Sequence, residues 1–141
     1  MPSSQTEQFT PLLDRLQEIS YSSVKPLLDH HITLDPHAGI ILVSLDLTPE
    51  EHAGLSFHFH GARIVTGKHN YVNPHYHNIG IEPYYLLSGI GEMNVGSVEE
   101  NRVQWDEPRL VEAGELIVVQ ETEVHSLRNK GDKPLDFVFA C

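Results

Sequence analysis

An all-β sandwich or barrel behind a short helical segment is the fold class this sequence predicts, and three observations predict it. From Gly39 onward the chain falls into short β-branched or aromatic stretches: GIILVSLDL, GLSFHFHGARIVTG, NYVNPHYH, EPYYLLSGIGEMNVG, PRLVEAGELIVVQ, VHSLRN and PLDFVFA. Gly, Pro, Asn or Asp turn signals separate them at roughly even spacing, with no helical period between, which is the pattern of rolled or stacked sheets. Before Gly39 the texture differs: Leu12, Leu13, Leu16, Ile19, Val24, Leu27 and Leu28 recur at mostly helical spacing.

Taken in order, the polar residues 1–7 are expected to fray. Thr10 can cap the first helix with Pro11 at its first position. Pro26 and the run SYSSVK predict two short helical pieces rather than one long helix. The expected division is a helical extension over residues 1–38 and a β-barrel over residues 39–141. In SFHFHGA, Phe57 and Phe59 alternate with His58 and His60, an amphipathic strand with its aromatics on one face. In NPHYHNIGIEPYYLLSG, His75 and His77 stand two apart and so point the same way from a strand, while Pro74 suits a sheet edge or bulge. Glu82 follows a short Gly-containing turn; Tyr84 and Leu86 share its parity, and Tyr85 and Leu87 face the other way. GIGEMNVG does not match a dinucleotide fingerprint and reads as a hairpin turn. Gly114 turns the chain into a strand over residues 115–119, and His125 opens the next strand after a polar turn.

A chain of 141 residues is long enough for one domain with one core, and 40% hydrophobic with 21% charged residues is ordinary for a soluble globular protein. Twenty acids against 9 bases leave a formal charge of −11, which argues against nucleic acid as a partner. A small anionic ligand stays within reach, since one or two arginines in a pocket suffice. Cys141 is the only cysteine, so no internal disulfide is expected. The opening MPSSQTEQFTPLLDRLQ lacks a basic region followed by an apolar run, and GIILVSL is too short to span a bilayer. A cytoplasmic protein without membrane partners is the expectation. A homodimer is expected too, because open sheet edges are commonly covered by a second chain, with PLDFVFA and the N-terminal segment as contributors.

As a pair, the two histidine-bearing stretches resemble the motifs of the cupin superfamily, whose fold is a small double-stranded β-helix, or jelly-roll barrel. The first motif, G(X)5HXH(X)3-4E(X)6G, is met by His75, His77, Glu82 and Gly89. The second, G(X)5PXG(X)2H(X)3N, is met by Gly114, His125 and Asn129. The resemblance covers about residues 60–140 and implies His75, His77, Glu82 and His125 as ligands of one divalent metal per chain. His69 stands where the first motif opens with glycine, Gln120 replaces the proline, and Thr122 replaces the inner glycine. A β-branched residue is unfavourable at positive φ, so the turn before His125 is expected to take another shape.

Three imidazoles and a carboxylate suit Fe, Mn, Ni, Zn or Cu better than Mg or Ca. In an octahedral shell, two positions would remain for water, substrate or dioxygen, so that a carbonyl could be polarised, a water acidified or O2 activated. Cupins include dioxygenases, sugar-phosphate isomerases, decarboxylases and other lyases. The resemblance therefore implies an enzyme acting on a small organic substrate, with O2-dependent or enediol-type chemistry favoured within that range. The alternative is a non-catalytic sensor or storage cupin, for which ten histidines speak. The candidate catalytic groups are Tyr84, His69 and Arg63. By strand parity Arg63 enters the cavity to hold a carboxylate or phosphate, and His69 shares a face with Tyr71, Asn73, His75 and His77 if the strand is unbroken. Tyr71, Asn73, Leu86 and Leu127 are expected to line the substrate side. His58 and His60 form a second HxH with no carboxylate at a matching distance and read as structural. His30, His31, His37 and His52 are assigned nothing.

Overall fold

The computed structural model describes residues 7–37, 39–77 and 79–141. Helices α1 (Thr10–Gln17) and α2 (Tyr21–Leu34) precede the strands. These are β1 (Ile40–Ser44), β2 (Glu50–His52), β3 (Leu55–Phe57), β4 (Phe59–Ile64), β5 (Glu82–Ser88), β6 (Ile90–Glu99), β7 (Arg102–Trp105), β8 (Arg109–Glu112), β9 (Leu116–Val119), β10 (Val124–Asn129) and β11 (Leu135–Ala140). One sheet runs β1-β4-β11-β5-β9 and the second β10-β6-β7, with β8 also on β6; β2 and β3 form a separate hairpin. Every pairing is antiparallel. The all-β class read from the sequence is the class observed, in the form of a jelly roll.

Period-2 alternation divides the apolar residues between two cores. Between the sheets lie Ala62, Ile64, Tyr84, Leu86, Met93, Ile117, Leu127, Leu135 and Phe137. On the outer face of the five-stranded sheet, Leu12, Leu13, Leu16, Val24 and Leu28 pack against Ile41, Val43, Phe57, Phe59 and Val138. Full burial of a leucine contributes about 1.5–3 kcal/mol, so these side chains alone hold the helical segment firmly to the sheet. Gly61 permits the approach: a Cβ there would stand 2.8 Å from Val24 Cγ1 and 3.0 Å from Val43 Cγ2.

The helical break falls after Gln17, before Ser20 caps α2, and Pro26 lies inside α2. Pro26 leaves the carbonyl of Ser22 without its helical donor, but Ser22 is exposed and water can replace it. Thr10 is not the cap. Phe9 holds that position, and the Thr10 hydroxyl donates to the Glu7 carbonyl at 2.8 Å.

Arg63 does not enter the space between the sheets. Ala62 and Ile64 occupy that face of β4, so alternation turns Arg63 toward the helices. There its Nε and Nη2 donate to the two carboxylate oxygens of Asp136 at 2.7 and 2.8 Å, and its Nη1 donates to Asp29 at 2.7 Å. The Tyr21 hydroxyl donates to the same Asp136 carboxylate. Asp136 before all else raises the Arg63 pKa above its ordinary value. The role first expected of this arginine gives way to a buried tie between α2, β4 and β11.

β11 is not an edge. It lies between β4 and β5 with both sides paired, so it has no free backbone groups to offer a second chain. Asn129, at the end of β10, is 3% exposed; its amide donates to the carbonyls of Ile64 and Lys133 and accepts from Gly131 N–H. Its place in the second motif has a structural reason, since it closes the turn into β11. No helix among the described residues is long and apolar enough to cross a membrane.

Candidate metal centre

His75 lies beside β10, where its backbone N–H donates to His125 O at 3.1 Å and its carbonyl accepts from His125 N–H at 2.9 Å. That pairing sets the two imidazoles side by side, with ring centroids 4.2 Å apart. His77 follows two residues later, and its carbonyl accepts from Thr122 N–H at 2.8 Å. Glu82 opens β5 in the opposite sheet, with its side chain facing inward. Ligand atoms of His75, His77, Glu82 and His125 all lie within 4.8 Å of one another.

The rings are held so that metal-capable atoms face the common point. His75 Nδ1 is 2.8 Å from Asn73 O, and His125 Nδ1 is 3.4 Å from Glu123 O. A proton on each Nδ1, directed at its carbonyl, leaves the Nε2 lone pair free for a cation. His125 Nε2 is buried, 3.4 Å from Glu82 Oε1, and makes no hydrogen bond. An unsatisfied buried nitrogen costs about 1–3 kcal/mol unless something occupies its lone pair. His77 Nε2 is 2.6 Å from Glu82 Oε2, and the Tyr84 hydroxyl donates to Glu82 Oε1. The donor set fits a borderline divalent ion: three imidazole nitrogens and a carboxylate are gathered from two sheets, one nitrogen is orphaned, and neighbouring backbone carbonyls set the ring orientation. Glu82 and His125 are buried, His75 half-buried and His77 exposed, so the cluster opens to solvent on the His77 side.

The other residues expected at the site divide. Tyr84, Leu86 and Leu127 lie in the core between the sheets, with Tyr84 in contact with Glu82. Tyr71, Asn73 and His69 do not turn inward. Tyr71 bridges Arg128 and His75 bridges His125, so four steps along one strand oppose three along the other. This extra residue beside Pro74 is a bulge, and it reverses the parity. Tyr71 therefore faces outward beneath the Arg128 guanidinium, 5.3 Å from its ring centroid, and Val72 packs inward instead. Asn73 contributes its carbonyl rather than its side chain. His69 sits in an exposed turn, close against Gly39 and beyond Tyr71 from the cluster.

The turn before His125 keeps the left-handed shape despite its threonine, with Thr122 at φ 68°. Such a conformation costs a β-branched residue on the order of 1–2 kcal/mol, and here it directs Thr122 N–H at His77.

Two further residues belong to this region, one read from the sequence only as structural and one not placed there at all. His60 shares its face of β4 with Ala62 and Ile64; its ring stacks on Phe139 at 5.1 Å, and Phe139 stacks on Tyr84 at 5.8 Å. Burial, then His58, lowers the His60 pKa, while Glu82 acts in the opposite sense. Its parity with Ile64 was the available signal. The register Phe139↔Tyr84, carried two residues further, sets Cys141 opposite Glu82. Burial pushes the Cys141 thiol pKa up, and Glu82 adds to it. No sequence signal links these two residues before β11 is paired with β5.

Tyr84→Phe keeps the buried ring and removes the hydroxyl that steadies Glu82. We expect metal affinity to fall roughly 10- to 100-fold with the fold unchanged, as read by competition with a chromophoric chelator. Equal affinities would show that Glu82 needs no such support.

The cupin-domain family model matches residues 63–141. No curated protein matches the chain. Among solved structures, a cupin superfamily protein from Desulfitobacterium hafniense superposes with a TM-score of 0.52 at 11% identity, covering 72% of this chain and 74% of that one. KdgF from Halomonas sp. gives 0.52 at 19% identity, over 75% and 83% of the two chains. A recombinant oxalate oxidase in complex with glycolate gives 0.54 at 19% identity, over 72% of this chain and 50% of that one. At these identities the likenesses speak for the fold alone. The family match spans more than half of the sequence and contains all four clustered residues, and on that ground this chain belongs to the cupin family.

Proposed function

We propose that this protein is an enzyme acting on a small organic substrate at a divalent metal centre held by His75, His77, Glu82 and His125. The observation that carries the reading is the buried, unpartnered His125 Nε2 facing a carboxylate and two further imidazoles. A bound transition metal would supply Lewis acidity or redox chemistry to an oxygen-bearing substrate. The chain's own residues do the rest. Asn73 and Glu123 carbonyls fix two imidazoles, and Tyr84 fixes the carboxylate. The core side chains Leu86, Leu127 and Phe137 exclude water from the inner side.

Two features favour catalysis over storage. The exposure of His77 leaves one side of the cluster accessible, as exchange of water for substrate requires. His69, which could have closed the coordination shell, stands elsewhere. The glycolate complex of the oxalate oxidase neighbour makes small oxygen ligands a reasonable first class to try. Dioxygenase, lyase and isomerase chemistry all fit the donor set. A sensor or storage role is the rival.

The test uses Co(II)-loaded protein and azide. The visible spectrum should change with azide in the wild type and equally in His69→Ala, which should also keep its metal. A spectrum indifferent to azide, together with metal loss in His69→Ala, would favour a closed storage site.

A further inference from the structure

A cleft of about 150 Å³ opens directly onto His77 and Glu82, and its other walls are mostly apolar: Leu55, Phe57, Ile79 and Ile81. Ser56 and Cys141 complete it. The cleft lies where the β2–β3 hairpin meets the chain entering β5. Gly80, at φ +83°, brings the two together, and a Cβ there would stand 2.9 Å from Leu55 Cδ1. Among the described residues no lysine or arginine lines the cleft, while Glu82 stands at its inner end and the whole chain carries −11. A negatively charged group is therefore unwelcome in it. Its volume equals roughly five water molecules' share of the liquid, room for a chain of about four or five carbons. A wider cleft of about 420 Å³ between the helices and Leu45, Asp46 and Leu47 includes none of the four clustered residues.

We propose that this cleft seats the uncharged, apolar tail of the substrate, whose oxygen-bearing head is held at the His75, His77, Glu82 and His125 cluster. The substrate class is thus a short-chain molecule with a chelating oxygen head and an aliphatic tail, rather than a sugar phosphate or a dicarboxylate. This rests on the metal-centre reading and extends it. Discrimination comes from burying methylenes against Leu55, Phe57, Ile79 and Ile81, and it stops when the cleft is full.

Alkyl hydroxamates of increasing length provide the probe, because they share one chelating head and differ only in the tail. With the Zn(II)-loaded full chain, calorimetry should show affinity rising roughly fourfold per methylene from acetohydroxamate to pentanohydroxamate, then levelling. Ile79 is 70% exposed, so Ile79→Ala should fold normally and shrink the ratio of pentano- to acetohydroxamate affinity. Ser56→Phe, also at an exposed position, should shrink it further by narrowing the cleft. If acetohydroxamate binds but tail length makes no difference, or both variants keep the wild-type ratio, the cleft assignment is wrong and the metal centre stands. If no hydroxamate binds although elemental analysis finds zinc, the open metal centre is itself refuted, and the cleft assignment with it.

Discussion

Asp136→Asn should lower the stability of this protein by about 3–5 kcal/mol, the cost of leaving a buried charge without its partner. Asp136 is 1% exposed and Arg63 5%, so water cannot replace the lost bidentate pair. Asp29 still meets Arg63, but it lies at the surface end and contacts only Nη1. For a chain of this length the melting temperature should fall by roughly 10–20 °C in calorimetry. Replacing both partners, Arg63→Met with Asp136→Leu, should recover most of that loss, because two apolar side chains leave no orphaned charge. Metal content per folded molecule should not change in either variant, since the pair faces the helices and not the cluster. A catalytic role for Arg63 predicts the reverse, a stable protein with a damaged site. Acid should add only a little. Lys25, then Arg63, holds the Asp29 carboxyl below its ordinary value of 3.8, so its contribution is present above that value and fades as pH falls below it. Asp29 is exposed enough for solvent to screen most of the effect.

His125→Ala should abolish tight metal binding, with a loss larger than the roughly 10- to 100-fold that follows removal of an orienting partner. The signature is thermal. Metal at a hundred times its Kd stabilises a folded protein by about 2.7 kcal/mol, which for this length raises the melting temperature by roughly 5–10 °C. Wild type should show that rise with Zn(II) or Co(II), and His125→Ala should show none at the same concentration. The His75→Ala and His77→Ala variants should also lose most metal. His58→Ala should keep it, because His58 lies outside the four-residue cluster. A His58 variant that loses metal while the His75 variant retains it would place the centre elsewhere.

Parity within an uninterrupted strand is what the sequence by itself determined. Glu82, Tyr84 and Leu86 share a face, and their inward placement follows from one alternating stretch. Gly114 adopts φ +91° and makes the turn into the next strand that was expected of it. The motif spacing named the four residues that the fold gathers within 4.8 Å. The tertiary structure decided whatever depends on which strand lies beside which. Tyr71 and His75 differ by an even number, yet they face opposite ways because one extra residue enters the pairing with β10. Arg63 was expected in the cavity, but Ala62 and Ile64 take that face of β4 and Arg63 points to the face the helices cover. Cys141 meets Glu82 only through the register of β11 with β5. Thr122 takes positive φ because the backbone bond to His77 and the neighbouring turn outweigh its local preference. Side-chain period is a local property of the backbone, readable from a few residues. The register of a bulged pair, and the choice of which sheet face is covered, are set by burial summed over contacts between residues far apart in the chain.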